Sequence, residues 1–227
     1  MMQRRRFLAF AIAALCLLPM IVAAAQGLEL ESELKGSCEG FSYVLPCFSG
    51  SSEDVDGING RLRAVAENGL QECFPELAYV QDGAEVTYTI TRNDERYLCV
   101  LLQAWSQETL SGERAFTFAR DGIYAGQNVS LAQVLGLESE TGTEELDHVV
   151  YGLIWETVRK ESENMDRGFL DGLTLDSVIA SLDPQWDFRL EETGNIVFMI
   201  QPGEIAAEME GMLEFPFMPE ELVDAMK

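Results

Sequence analysis

The chain carries one histidine, His148, against 39 Asp and Glu residues, and that imbalance bounds the chemistry its side chains can perform. A site built on two histidines is excluded, and a Ser-His or Cys-His nucleophile pair would have to use His148. That residue falls two positions after Leu146, off the apolar stripe of its helix, and so reads as solvent-facing. No Gly-x-Ser-x-Gly elbow, His-Glu-x-x-His pair, phosphate-binding Walker loop or dinucleotide glycine pattern is present. Paired carboxylates for glycoside hydrolysis need only two acids at suitable spacing, and nothing in the spacing singles out a pair among 39. No Asp-x-Asp-x-Asp-Gly calcium loop occurs, and Glu53-Asp54-Asp56 reads as the solvated start of a helix. No catalytic residue, metal ligand or cofactor is therefore expected. Among the tryptophans, Trp155 follows Ile154 on a helix and Trp186 opens a strand, which places both in the core or at its edge. Trp105 differs. It stands in AWSQETLSG, where a loop is expected after a central strand, and is the candidate for a partner-contacting surface.

The opening residues set the compartment. Arg4-Arg5-Arg6, the apolar run from Phe7 to Val22 and Ala23-Ala24-Ala25 form a signal-peptide pattern, with cleavage expected near Ala25. The alternative is a retained N-terminal anchor, since the run is just long enough to span a bilayer. Only six residues precede it, so no functional intracellular segment is expected ahead of it. The protein is expected outside the cytoplasm, secreted, periplasmic or at the cell surface. Its net charge of −24 becomes more negative still when Arg4 to Arg6 are removed. Such a field argues against nucleic acid and anionic lipid surfaces, which require basic patches, and favours a cationic partner.

Four cysteines follow the signal: Cys38, Cys47, Cys73 and Cys99. An even number in an exported chain implies two disulfides with three possible connectivities. No Cys-x-x-Cys pair occurs, which argues against zinc and thioredoxin-like chemistry. The favoured connectivity is Cys73–Cys99 with Cys38–Cys47, the first bond locking a helix to a strand.

The elements that would position these groups are legible in sequence order. Residues 26–36 read as a polar leader, and Phe41–Phe48 as a strand that Pro46 places at an edge. Val55, Ile58, Leu62, Val65, Ala66, Gly69, Leu70 and Cys73 share one face of a helix over Glu53–Cys73. Glu85–Thr91 alternates as a strand, and Tyr97–Gln103, apolar on both faces, reads as a central strand. Arg114–Phe118 is a further strand, and Asp121-Gly122 a hairpin turn leading into a short strand and a helical turn from Ser130. Thr143–Asn164 is the clearest helix, and Leu173–Leu182 a shorter one with Thr174 as its cap. Two halves, about 37–110 and 111–227, suggest themselves. Their junction at Thr109–Glu113 is short, so one continuous α+β domain over 37–227 is expected. Its mixed or antiparallel sheet would pack against helices, including the long one at about 143–164.

The closing segment reads as strands Asp187–Leu190 and Ile196–Ile200 about a Gly194-Asn195 turn. A Pro202-Gly203 break, helical turns over Glu204–Met209 and a last strand Leu213–Phe217 follow. Gly194, the run Ile196 to Ile200, Pro202, Glu204, Ile205 and Phe215 to Phe217 resemble the end of the RsiV-type extracytoplasmic domain. That module of unknown function is found in the RsiV anti-sigma factor and in some peptidoglycan deacetylases. The resemblance covers most of 37–227 loosely and 186–217 well. It implies a non-catalytic domain at the cell envelope that binds protein, lysozyme being the partner best understood in the family, and it brings no catalytic residues. The family's Gly-Gly-Ala-His run is replaced here by Leu102-Gln103-Ala104-Trp105-Ser106-Gln107, so no site carries over at that point. The competing readings are a glycan-acting enzyme with paired carboxylates and a structural accessory domain.

Overall fold

The alternating segment at 85–91 lies at the centre of the larger of two sheets. A computed structural model of the chain describes residues 27–38, 41–75, 83–106, 109–164 and 167–227. The strands β1 (Leu30–Cys38), β2 (Phe41–Phe48), β3 (Ala84–Asn93), β4 (Tyr97–Ser106) and β5 (Thr109–Ala119) form a five-stranded sheet in sequence order. The β2–β3 pair is parallel and the other pairs antiparallel. A parallel pair needs a long crossover, and the helical run over 53–73 supplies it. That run is α1 (Glu53–Ala64), one π turn (Val65–Gly69) and α2 (Leu70–Cys73). Val55, Ile58, Leu62, Val65, Ala66 and Leu70 bury the predicted helix face against Phe41, Leu45, Val86, Leu98, Val100, Leu102, Phe116 and Phe118 of the sheet.

The crossover helix is also fixed at its start. A Cβ on Gly57 would sit 2.7 Å from the Gly126 carbonyl oxygen, so the absence of a side chain permits this approach. Arg120 pairs with Asp54 beside it at 3.5 Å.

A second core lies on the other side of the sheet. It gathers α3 (Leu131–Leu135), α4 (Glu140–Asn164), α5 (Leu175–Ser181) and the antiparallel sheet β6 (Phe188–Leu190), β7 (Ile196–Ile200), β8 (Leu213–Phe217). The stripe Leu146, Val150, Ile154 and Val158 of α4 is fully buried, as the periodicity requires. Ser130 with Gln133 and Thr174 with Ser177 form the capping boxes that start α3 and α5. A final helix, α6 (Pro219–Ala225), has no counterpart in the sequence reading and closes the core with Leu222. Two side chains tie the sheets together. Thr91 Oγ1 donates to the Leu190 carbonyl at 2.7 Å, and the Gln201 amide exchanges two hydrogen bonds with the backbone of Glu113.

The architecture is the expected α+β fold with its long helix, and five local expectations are corrected. The leader at 26–36 is largely strand β1, paired with β2 along its length, and Leu28 and Leu34 pack on the first core. β1 is thus the sheet edge, although β3 pairs only with Phe41–Tyr43 of β2, so Pro46 still has one side without a strand partner. The Asp121-Gly122 turn leads into a 3-10 turn at Gly122–Tyr124 and a single bridge, Phe118 to Asn128, where a strand was expected. Only Glu208–Glu210 within the closing unit is helical, as a 3-10 turn. Trp186 is 47% exposed, since the turn from Asp183 points it away from the core that Trp155 packs on. The signal segment lies outside the described residues. Among the described residues, no helix is long and apolar enough to cross a membrane.

Candidate functional site

Period-two geometry divides β4 into two rows. Leu98, Val100, Leu102 and Ala104 are fully buried in the first core. Tyr97, Cys99, Leu101, Gln103 and Trp105 line the opposite face. The second core covers that face at Tyr97 and Cys99, with Ala115 of β5. Beyond Leu101 the cover ends. Gln103 and Trp105 are half-buried, and the neighbouring positions of β3 are Thr87, Thr89 and Thr91.

On this open end the side chains form a ladder across three strands. Trp105 Nε1 donates to Thr87 Oγ1 at 3.0 Å, and Thr89 Oγ1 donates to Gln103 Oε1 at 3.1 Å. Gln103 Nε2 then donates to Glu113 Oε1 at 2.7 Å, directly across the β4–β5 pair. Glu113 is only 4% exposed, and its second oxygen, Oε2, is buried without a hydrogen-bond partner. Beside it Arg189 of β6, 8% exposed, pairs with both oxygens of Glu214 at 2.8 and 3.0 Å and with Glu191 at 3.2 Å. These groups line an open groove of about 520 Å³ between the two sheets, with Glu192 also on its wall.

The electrostatics of the groove follow from burial. Loss of water pushes the Glu113 carboxyl above its ordinary range. Gln103's hydrogen bond and the charge of Arg189 act against that shift, and Glu214 adds to it. Burial works against the Arg189 cation, yet Glu214, Glu191 and Glu113 together hold its guanidinium above its ordinary value. Arg189 is therefore charged and bound to Glu214 and Glu191. Three carboxyl groups surround one guanidinium and Glu192 lies on the same wall, so the groove is acidic.

Trp105, the one candidate surface residue from the sequence, lies in a strand and not in a loop, because β4 continues to Ser106 and pairs on to Thr109–Leu110 of β5. It shares its sheet face with Gln103, one pleat repeat from the groove. Glu113 was indistinguishable among 39 acids. Its signal was the pairing opposite Gln103, which becomes visible only when the β4–β5 register is known.

The expected disulfides are not formed by this fold. Cys99 is a buried free thiol in the second core that accepts a hydrogen bond from Thr117. Cys73 packs against the first core, across the sheet from it. Cys47 is also free, and it lies opposite Ser32, six residues along β1 from Cys38. Six residues of extended chain span about 20 Å, far beyond the reach of a disulfide. The side chain of Cys38 lies outside the described residues. The partition between sheet faces decides Cys73–Cys99 and the β1–β2 register decides Cys38–Cys47, and the sequence spacing carries neither.

Two other clusters are accounted for locally. Asp147, Asp183 and Asp187 gather where α4 meets the α5–β6 link, and burial raises the carboxyls of Asp147 and Asp187. Gln185 Nε2 donates to Asp147 and the Asp183 N–H to Asp187, so these acids hold a turn together. A concavity of about 450 Å³ near Trp155 carries Arg159 and Arg167, paired with Glu163 and Glu161. His148 is exposed, as expected.

No family model and no curated protein matches the chain. Solved structures do. A member of the DUF3298 family from Bacteroides fragilis is 10% identical, covers 88% of this chain and 94% of its own, and superposes with a TM-score of 0.53. A DUF3298 family protein from Pseudomonas aeruginosa is 13% identical with the same coverage and a TM-score of 0.51. The chain is thus similar in fold, over most of its length, to domains of unknown function.

Proposed function

We propose that this chain is an exported, non-catalytic protein-binding domain of the RsiV-like kind, acting at the cell envelope on a cationic partner such as lysozyme. The observation that carries the reading is the open end of the central sheet. There a half-buried tryptophan and three threonines lie beside a groove lined by Glu113, Glu191, Glu192 and Glu214. Interfaces draw affinity from a desolvated aromatic centre and orientation from complementary charge, and Trp105 with the acidic groove supplies both on one face. The resemblance of residues 186–217 to the RsiV-type module supplies the candidate partner. The likeness in fold to domains of unknown function is compatible with it and adds no partner of its own. The signal-peptide pattern at the N-terminus supports this reading, since an exported domain would meet such a partner.

The test is binding of the purified chain to lysozyme and to a size-matched cationic protein, each at low and near-physiological salt. Lysozyme-selective binding that survives the higher salt is the expected result, because contacts at Trp105 are not screened. Equal binding to both proteins that disappears with salt would reduce the effect to unspecific attraction and remove lysozyme as the partner.

A further inference from the structure

The groove contains an unanswered acceptor. Buried polar atoms nearly always find a partner, and leaving one without costs about 1–3 kcal/mol. Glu113 Oε2 is such an atom, on a side chain 4% exposed that lines an open groove. Its sister oxygen is held by Gln103, and Gln201, directly after β7, clamps the Glu113 backbone, so the carboxyl is fixed in place. Arg189 does not answer it, because the guanidinium is committed to Glu214 and Glu191. What the groove lacks is one donor and positive charge.

Resting on the proposed protein-binding role, we propose that this groove receives a single arginine side chain of the partner, whose guanidinium donates to Glu113 Oε2 while Glu191, Glu192 and Glu214 balance its charge. A guanidinium suits the position better than an ammonium. Its flat fork presents five donors to acceptors arranged on several sides, and it is less strongly hydrated when taken out of water. The Thr89 and Thr91 hydroxyls on the groove wall add neutral polar contacts.

The experiment uses N-acetyl-arginine amide as the probe and its neutral isostere N-acetyl-citrulline amide as the control. Both are titrated into the protein while the side-chain amide signals of Gln103 and Gln201 and the guanidinium signal of Arg189 are followed by NMR. Saturable shifts centred on these three groups are expected with the arginine probe, and at least about tenfold weaker binding with citrulline. Glu113→Gln, which keeps the acceptor for Gln103, should lose the same factor, while the exposed Glu140→Gln should bind as the parent does. Equal affinity for arginine and citrulline, or unchanged affinity in Glu113→Gln, would overturn the proposal, as would shifts that do not saturate.

The same variants separate this proposal from the reading it rests on. Lysozyme binding that survives Glu113→Gln but falls in Trp105→Ala overturns the arginine site and leaves the partner surface. Arginine binding without lysozyme binding removes that partner and leaves the site.

Discussion

Along the face of β4 that carries Tyr97, Cys99, Leu101, Gln103 and Trp105, the first two residues belong to the second core and the last two do not. Both ends are built from the same antiparallel strands with the same pleat. At the covered end, Cys99 lies within the second core, and the polar contacts are the Thr117 hydroxyl to the Cys99 thiol and the Tyr97 hydroxyl to the Val134 carbonyl. At the open end the row becomes Thr87, Thr89, Gln103, Glu113 and Trp105, joined side chain to side chain. A residue on the covered end stabilises the fold by losing water. On the open end the residues keep their polarity: Thr87, Thr89, Gln103 and Trp105 stay partly or fully exposed, and Glu113 is buried beneath them with its polar contacts kept. The difference shows that composition along a strand records its cover: apolar positions mark where the second core sits, and a polar ladder marks where that core ends.

That contrast is broken most severely from the covered side. Phe198 of β7 is fully buried in the second core, and Phe198→Ala should cost about 3–5 kcal/mol, measured by urea unfolding. A loss below about 1 kcal/mol would mean that β7 does not hold the cover in place. Gln201→Ala acts at the boundary. It removes both hydrogen bonds to the Glu113 backbone and should cost about 1–3 kcal/mol, with faster amide exchange at Glu113 as the local signature.

Glu113→Gln sharpens the comparison through pH. The folded carboxyl titrates above its unfolded value because burial penalises the charge. Its contribution to stability is therefore complete below the ordinary carboxylate range and is lost as pH rises through the raised folded value. Glu113→Gln removes that slope, so the variant should gain stability relative to the parent as pH rises from acid to neutral. Parallel stability curves for the two proteins would show that Glu113 is not desolvated. Asp147 and Asp187, also raised by burial, leave a residual slope in the same direction in both proteins.

The same distinction explains which parts of the molecule could be read beforehand. β2, β7 and β8 stand where the apolar runs and turn residues place them, and α3 and α5 begin at Ser130 and Thr174 because a capping box is a local signal. β1 was illegible, since an exposed edge strand needs little apolar alternation and LESELKGSC shows little. α6 is seven residues long and begins at a proline that reads equally well as a stop. The site was legible only in part. Trp105 stood out by its apolar bulk in a polar stretch, but its place on a strand depended on how far the β4–β5 hairpin runs. Glu113 depended on register and on a bulge between Ala104 and Trp105 that no local pattern announces. The cysteine pairs failed for related reasons: Cys73 and Cys99 lie on opposite faces of the sheet, and Cys38 and Cys47 are set apart by the β1–β2 register, neither of which leaves a trace in spacing.

The central claim is that the open end of the sheet is the partner surface, and Trp105→Ala tests it most directly. Trp105 makes one side-chain hydrogen bond and is half-buried, so its loss should leave the chain folded. At near-physiological salt the account predicts at least about tenfold weaker binding to lysozyme, with the unfolding midpoint in urea little changed. Undiminished affinity in a folded Trp105→Ala protein would contradict the account and move the binding surface elsewhere on the molecule.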